Sequence, residues 1–450
     1  MLTGMKSHQF TRRDFLKAAA ALPLIPSQGG STDPWDESKA ILARIKEPSI
    51  PNTDFDARRY GSLNEAISAC SAAGGGRVVV PPGVTQTGPI RMKSRVNLFL
   101  SDGAVVKFST DPKQYLPLVY TRFEGTELMN YSPFIYAFDE QDIAITGFGG
   151  TLDGQADATH WWDWTRNAAR RQLVDAASAG KPVAERIFGE GSFLRPNFIQ
   201  PYRCRNVMIE GITIVNSPMW EINPVLSTNV IIRAVKINSH GPNNDGCDPE
   251  SCRDVLIEGC TFDTGDDCIA LKSGRNDDGR RVGVPIENVI IRDCTMKDGH
   301  GGVTVGSEIS GGARNIFAER CKMDSPNLNI ALRFKTNAVR GGIIEHVYMR
   351  NVDIGQVSQA ILSVDYLYEE GDAGKFTPTV RDIEMRNVTS QKSRNALSLR
   401  GYARSPVTNV RLKDCEFANV AQPDVLENVK DVVFSNVSVN EKITNQSITR

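Results

Sequence analysis

Apolar and polar residues alternate in short runs that recur from Arg205 to the C-terminus. Nine runs share one pattern, exemplified by RNVMIEGITI and RDVLIEGCTF, and they recur at intervals of 22 to 36 residues. Their apolar anchor residues are Val207, Val230, Val255, Val289, Ile316, Val347, Ile383, Val410 and Val432. A period of two residues predicts β-strands, because an amphipathic helix needs a period of 3.6. Strand-rich repeats at this spacing predict a solenoid.

Each repeat holds two short strands around a bend and no long helical stretch. This content predicts an all-β, right-handed parallel β-helix. Leucine-rich repeats have a similar spacing, but their leucine and asparagine consensus is absent. A further strand in each coil predicts a second ladder, formed by DCIALKSG, GGVTVGSE, NIALRFKTN, AILSVDYLY and NALSLRGYA.

The residues before Arg205 are predicted to continue the same solenoid, because SRVNLFLSDGAVVKFS has the same alternation. A short helix is predicted over Leu63 to Ala72, followed by a glycine break and a strand. Terminal units of a solenoid must cover its open end, and this helix is expected to do so. We therefore expect one domain, residues 35–450, and a monomer.

The chain contains nine cysteines. Four of them, Cys260, Cys294, Cys321 and Cys415, stand five residues after an anchor, where the other repeats have Ile or Val. Cysteine at such positions is predicted to act as a small apolar side chain inside the coil. The cysteines are expected to be mostly free, and a disulfide between stacked neighbours is the alternative.

The N-terminal segment, residues 1–30, resembles a bacterial twin-arginine export signal. It contains TRRDFLKAAAALPLIP, in which Arg12 and Arg13 precede a short apolar stretch. Such a segment is set aside from the fold and predicts a periplasmic or secreted protein. An ordinary N-terminal helix is the alternative. Past residue 30 no apolar run has transmembrane length, so no membrane association is expected beyond the signal.

The charges nearly cancel, with 52 Lys and Arg against 53 Asp and Glu. This balance leaves no overall field that would attract nucleic acid, and none is expected as a partner. An anionic substrate would therefore need locally placed cations.

Acidic and basic residues gather at the second ladder of four consecutive coils. They are Asp245, Asp266, Asp267, His300, Arg333 and Lys335. Neighbouring coils of a parallel β-helix lie about 4.8 Å apart, which predicts one cluster on one face. Aspartate beside glycine is also a common turn former, and this is the structural alternative for each acid alone.

Such a cluster suits the hydrolysis of a glycosidic bond, which needs a protonated carboxyl and an ionised carboxylate. Repulsion among like charges is expected to raise the pKa of at least one acid. Arg333 and Lys335, two residues apart on a strand, would face the same side and bind an anionic sugar. In a regular strand Asp266 and Asp267 would face opposite sides, so the preceding Thr-Gly step is expected to distort the backbone.

NNDGCD, GDDCIAL, GHGGVTVGSE and RFK, in this order, resemble the signatures of the polygalacturonase family, glycoside hydrolase family 28. The likeness extends to AAGGGRVVVPPG, GGTLDGQ and NSPMW. Asn244 and Phe334 depart from it, because threonine and isoleucine are usual there. The resemblance implies a right-handed β-helix that hydrolyses galacturonate-containing pectic polysaccharides or oligogalacturonides with inversion and without a cofactor or metal.

The resemblance also implies residue roles. Asp266 would be the general acid, and Asp245 with Asp267 would position and activate water. His300 would support the proton balance of the acid, and Arg333 with Lys335 would hold the substrate carboxylate. Tyr366 would contact the substrate, with Tyr368 as the alternative.

Two other functions remain open at the level of sequence. A calcium-dependent pectate lyase is also a β-helix, and the acids could bind calcium. A noncatalytic β-helix that only binds polysaccharide is the other possibility.

Overall fold

The computed structural model describes residues 33–164 and 167–450, which form a right-handed parallel β-helix. The predicted export signal, residues 1–30, lies outside the described residues. No helix among the described residues is long and apolar enough to cross a membrane.

Each coil contributes strands to three ladders that run along the solenoid. The first ladder contains Asp54–Asp56, Gly76–Val80, Val96–Leu100, Gln141–Gly147, Arg205–Glu210, Thr228–Arg233, Arg253–Glu258, Ile286–Arg292 and Ala313–Glu319. The second contains Gly83–Thr87, Ala104–Phe108, Thr151–Asp153, Thr213–Val215, Lys236–Ser239, Thr261–Thr264, Thr295–Met296 and Lys322–Met323. Near the C-terminus the two ladders fuse in Ile343–Gln356, Thr379–Lys392, Val407–Phe417 and Val429–Val439. The antiparallel strand Lys442–Ile448 pairs with the last of these.

The third ladder is the one that the sequence predicts as the second, and it carries the charged residues. Its strands are Ile90–Arg91, Ile135–Phe138, Ile199–Tyr202, Ile269–Leu271, Gly299–Val305, Leu328–Lys335, Ala360–Asp365, Asn395–Arg400 and Val425–Glu427. Single bridges at Ile222, Val225, Cys247 and Glu250 continue it through the intervening coils. A separate antiparallel hairpin, Val119–Phe123 with Thr126–Asn130, projects from an early coil.

The predicted register is confirmed. Val207 pairs with Val230, Val230 with Val255, and the later anchors follow in the same way to Val432. The residue before each anchor has a positive φ, which Asn and Asp adopt more readily than other side chains. Their side chains also join successive coils, as where the Asn229 Nδ2 donates to the Asn206 Oδ1 over 2.8 Å. The middle residue of the RNV, TNV and RDV triplets thus forms a bend that recurs before each anchor.

The interior of the coil is apolar, and the cysteines belong to it. Cys260, Cys294, Cys321 and Cys415 are all buried, and all nine cysteines are free thiols. The predicted position of cysteine as an apolar filler of the coil is confirmed, and no disulfide joins these stacked neighbours.

Among the described residues, four α-helices lie on the solenoid: α1 (Trp35–Arg44), α2 (Leu63–Ala72), α3 (Asn167–Ser178) and α4 (Asn276–Val282). Helix α2 has the predicted bounds, and it packs Leu63, Ala66, Ile67 and Cys70 onto the first coil. The sequence analysis did not predict the other three. Helix α1 packs on the outside of the first ladder, whereas α3 and α4 contact each other and the hairpin strand Thr126–Asn130.

Candidate active site

The two coils that carry the acids pack closely enough to bring these side chains together. The Asp266 N donates to the Asn244 O over 3.3 Å, and the Gly246 N donates to the Asp267 O over 2.9 Å. A Cβ added at Gly265 would lie 2.5 Å from the Gly241 carbonyl oxygen, so this approach requires glycine. The third-ladder strand starts only at Ile269, and the acids lie on the bend before it. The expected distortion is therefore present, and oxygens of Asp245, Asp266 and Asp267 lie within 4.8 Å of one another.

Asp267 is completely buried and is surrounded by donors. The Lys335 Nζ lies 2.7 Å from its Oδ2, and the Arg333 Nη1 lies 3.3 Å from its Oδ1. The Thr304 hydroxyl also donates to Oδ1, over 3.0 Å. Burial alone would raise the pKa of Asp267, but Lys335 and Arg333 hold it well below its usual range. Asp267 is therefore an anion with both oxygens occupied.

Asp245 lies in the opposite electrostatic situation. Its side chain is 4% exposed, and its closest cation is the Lys272 Nζ, 3.6 Å from Oδ2. Burial, and after it the neighbouring Asp248 and Asp266, raise the pKa of Asp245 well above its usual range. The predicted rise in the pKa of at least one acid is therefore present at Asp245, although burial contributes more to it than the repulsion of the neighbouring acids.

Asp266 is the most accessible of the three acids, with 18% of its side chain exposed. The His300 Nδ1 lies 2.9 Å from the Asp266 Oδ1, and this hydrogen bond raises the pKa of His300. The Asp267 N also donates to the Asp266 Oδ1, over 2.9 Å. Asp266 is therefore the acid best placed to reach a substrate in the cleft.

Tyr366 does not reach the cleft, and its prediction as a substrate contact is wrong. Its side chain is buried in the core, where its hydroxyl accepts a hydrogen bond from the Val380 N over 2.6 Å. Val364 and Tyr366 are two residues apart and both point inward, which the alternation of the strand could have indicated. The alternative, Tyr368, follows after the strand has ended and lines the cleft, with its ring centre 5.4 Å from the Lys335 Nζ.

The cleft has a volume of about 200 Å³. Besides predicted residues it is lined by Glu124, Arg170, Trp220, Asn243, Lys272, Ser307, Glu308, Tyr368 and Glu369. The repeat pattern did not indicate Glu124, Arg170 or Glu369, because they belong to segments inserted between coils. Asn243 stands inside the NNDGCD motif, which was the one local signal for it.

One side of the cleft is formed by an ion-pair wall, which we define as Glu124, Arg170, Arg275 and Glu369. Arg170 from α3 pairs with Glu124 at the turn of the hairpin and lies 3.1 Å from Glu369. Arg275, just before α4, lies 3.0 Å from Glu124 and 3.3 Å from Glu369. The wall therefore joins segments from early and late coils beside the acids.

A parallel β-helix with paired acids and cations in one cleft defines a carbohydrate-cleaving enzyme of the solenoid class. The match to the model for Glycosyl hydrolases family 28 covers residues 70–439. The chain belongs to this family and is a glycoside hydrolase.

The relatives agree with this assignment. In sequence, the chain is 40% identical to a hyperthermoactive exopolygalacturonase from Thermotoga maritima. The crystal structure of that enzyme matches with a TM-score of 0.89, and the match covers 92% of this chain and 98% of that one. A probable polygalacturonase from Vitis vinifera is 29% identical over 83% of this chain and 74% of its own length. A polygalacturonase from Erwinia carotovora ssp. carotovora, at 23% identity, shares the fold with a TM-score of 0.66 over 86% of this chain and 98% of that one.

Proposed function

We propose that the protein hydrolyses α-linked galacturonate polymers and removes units from the chain end. The observation that carries this proposal is the placement of Arg333 and Lys335 beside three acids in a small walled cleft. Two cations suit a sugar that bears a carboxylate, and a neutral sugar would have less use for them. The likeness to an exopolygalacturonase at 40% identity supports the substrate and the mode of attack.

The size of the cleft supports attack at a chain end. Its volume of about 200 Å³ is below the roughly 300–1,000 Å³ of pockets that hold drug-sized ligands. A cleft of this size suits a terminal sugar more than the middle of a polymer. The ion pair of Arg170 with Glu369 closes the ion-pair wall. The wall would therefore prevent the polysaccharide from extending past that side of the cleft.

In the proposed mechanism Asp266 donates a proton to the leaving oxygen, and His300 steadies its carboxyl through the 2.9 Å hydrogen bond. Asp245 and Asp267 together position the attacking water and activate it. Arg333, with 20% of its side chain exposed, has donors left for the substrate carboxylate after contacting Asp267.

The acid oxygens lie closer together than the roughly 6.5–9.5 Å typical of inverting enzymes, so their separation does not by itself predict the stereochemistry. Inversion is supported instead by Asp267, whose oxygens are held by Lys335, Arg333 and Thr304. A carboxylate engaged in this way is a poor nucleophile, which favours direct attack by water.

The product pattern tests this function. From polygalacturonate the protein is expected to release free galacturonate from the first minutes, with a small loss of viscosity for each bond cleaved. Proton NMR of the earliest product should show the β anomer. A matched reaction with a chelator should run at the same rate. Oligomers of mixed length at the start would contradict attack at the chain end, and an unsaturated product absorbing in the ultraviolet would indicate a lyase.

We also propose that residues 1–30 direct export by the twin-arginine route, which the pair Arg12 and Arg13 supports. The expected result is that replacing both with lysine retains the protein in the cytoplasm of a bacterial host. Fractionation and immunoblotting measure this. Replacing Lys6 and Lys17 with arginine serves as the control and should leave export unchanged, whereas normal export of the Arg12→Lys, Arg13→Lys variant would refute the proposal.

A further inference from the structure

A single buried lysine connects several acids beneath the cleft. The Lys272 Nζ lies 3.6 Å from the Asp245 Oδ2, 3.5 Å from the Asp248 Oδ2 and 3.2 Å from the Glu308 Oε2. Only 3% of its side chain is exposed, and its ammonium stands 4.2 Å from the centre of the Trp220 ring. Lys272 is the last residue of IALK in the third ladder, five residues beyond Asp267.

The acids around Lys272 have few other partners. Among the described residues, both carboxylate oxygens of Asp248 and the Oδ1 of Asp245 have no hydrogen-bond partner. Buried charges need a counter-charge, because burial in an apolar interior disfavours the ionised form. The ammonium of Lys272 is thus the main group that fixes the orientation of both carboxylates.

We propose that Lys272 is a positioning residue of the hydrolysis, because its ammonium holds Asp245 at the floor of the cleft. Asp248, a second buried acid beside the same ammonium, counteracts its positive charge. The substrate named in this proposal rests on the proposed function. Lys272 acts through the acids and need not touch the sugar.

The electrostatics around these groups support the geometry. Burial and Asp248 raise the pKa of Asp245, whereas Lys272 lowers it. Lys272 also lowers the pKa of Asp267, together with Lys335 and Arg333. Loss of Lys272 should therefore raise the pKa of whichever acid takes the proton from water, and loss of Asp248 should lower that of Asp245.

The charged groups that face Lys272 come from four coils, and most of them favour the ionised form of its ammonium. They are Asp245, Asp248, Glu250, Asp267, Glu308 and, as the one opposing cation among them, Lys335. Acids outnumber the cation, so the ammonium is held in its charged form, and burial raises the pKa of Asp248 to about 8 despite it.

The test compares Lys272→Met, Lys272→Arg, Asp248→Asn and the double variant Lys272→Met, Asp248→Asn on an oligogalacturonide across a range of pH. We expect Lys272→Met to lower kcat roughly 10- to 100-fold with KM nearly unchanged. Its acid limb of kcat against pH should move up by about one unit or more. Asp248→Asn should move this acid limb to lower pH, and the double variant should return it toward the wild-type position. Lys272→Arg should keep most of the activity.

Lys297→Met is the matched control, because Lys297 is exposed and lies 3.8 Å from Asp263 outside the cleft. Unchanged pH limbs in Lys272→Met and Asp248→Asn would overturn the proposal, as would a raised KM with normal kcat, which would make Lys272 a substrate ligand. If Lys272→Met fails to fold, the near-isosteric Asp248→Asn still tests the proposal, because the acid limb of its kcat against pH should move to lower pH. An inactive wild type on all galacturonides would count against the proposed function, and the variants would then be compared on whichever pectic glycoside the wild type cleaves.

Discussion

Replacement of Asp266 by asparagine is expected to lower kcat about 10²- to 10⁴-fold, which is the usual contribution of a positioned acid or base. Asparagine has nearly the same shape but cannot donate the proton that the leaving oxygen requires. Asp266 is the most accessible of the three acids, and its main side-chain partner, His300, lies 2.9 Å away with half of its own side chain exposed. Initial rates on an oligogalacturonide measure the loss, and thermal unfolding should show a native-like fold.

Asp263→Asn is the control for this prediction. Asp263 lies three residues earlier and pairs with His240 over 3.0 Å, outside the cleft. Its replacement is expected to leave kcat within about twofold, as for most surface changes. A wild-type rate in Asp266→Asn would exclude Asp266 as the acid. Equal losses in both variants would indicate damage to the second ladder instead.

The solenoid could be predicted from the sequence because its signals recur in every coil. The anchors Val207 to Val432 alternate with polar residues, and the residue before each anchor, which is His346 in one repeat and Asn or Asp in the other eight, marks the same left-handed bend. Helix α1 gave no such signal. It occurs once and is stabilised by tertiary contacts, such as that of Trp35 with Phe317, which a repeat pattern does not contain.

The acids and cations at the centre of the site could be predicted because they recur at fixed positions in successive coils. The residues of the ion-pair wall at its edge could not be predicted. Asp266 and His300 occupy the same distance from their anchors, so the coil spacing brings them together. Arg170 and Glu369 lie in insertions of irregular length, and their contact depends on how two separate segments fold back. Tyr366 directly follows the strand Ala360–Asp365 and still points inward, whereas Tyr368 lies two residues further into the turn, and periodicity locates such a boundary poorly.

The hairpin that carries Glu124 is fixed by a buried ion pair, which leads to the largest expected change in stability. The Arg122 Nη1 lies 3.0 Å from the Glu250 Oε1, and neither side chain is exposed. Arg122→Met is expected to lower the free energy of unfolding by about 3–5 kcal/mol, because it leaves a buried carboxylate without its nearest cation. Urea unfolding followed by circular dichroism measures this.

The cause of this loss can be separated from loss of packing. Burial raises the pKa of Glu250 and Arg122 lowers it, so in Arg122→Met the folded protein should bind a proton there more tightly. A raised pKa in the folded state favours folding at low pH, and the deficit should therefore be larger at neutral than at mildly acidic pH. Adding Glu250→Gln should recover part of the stability. Arg203→Met, which breaks an exposed pair with Asp139, should cost less than about 1 kcal/mol. A deficit independent of pH and untouched by Glu250→Gln would show that the methylene packing of Arg122, and not its charge, holds the hairpin against the cleft.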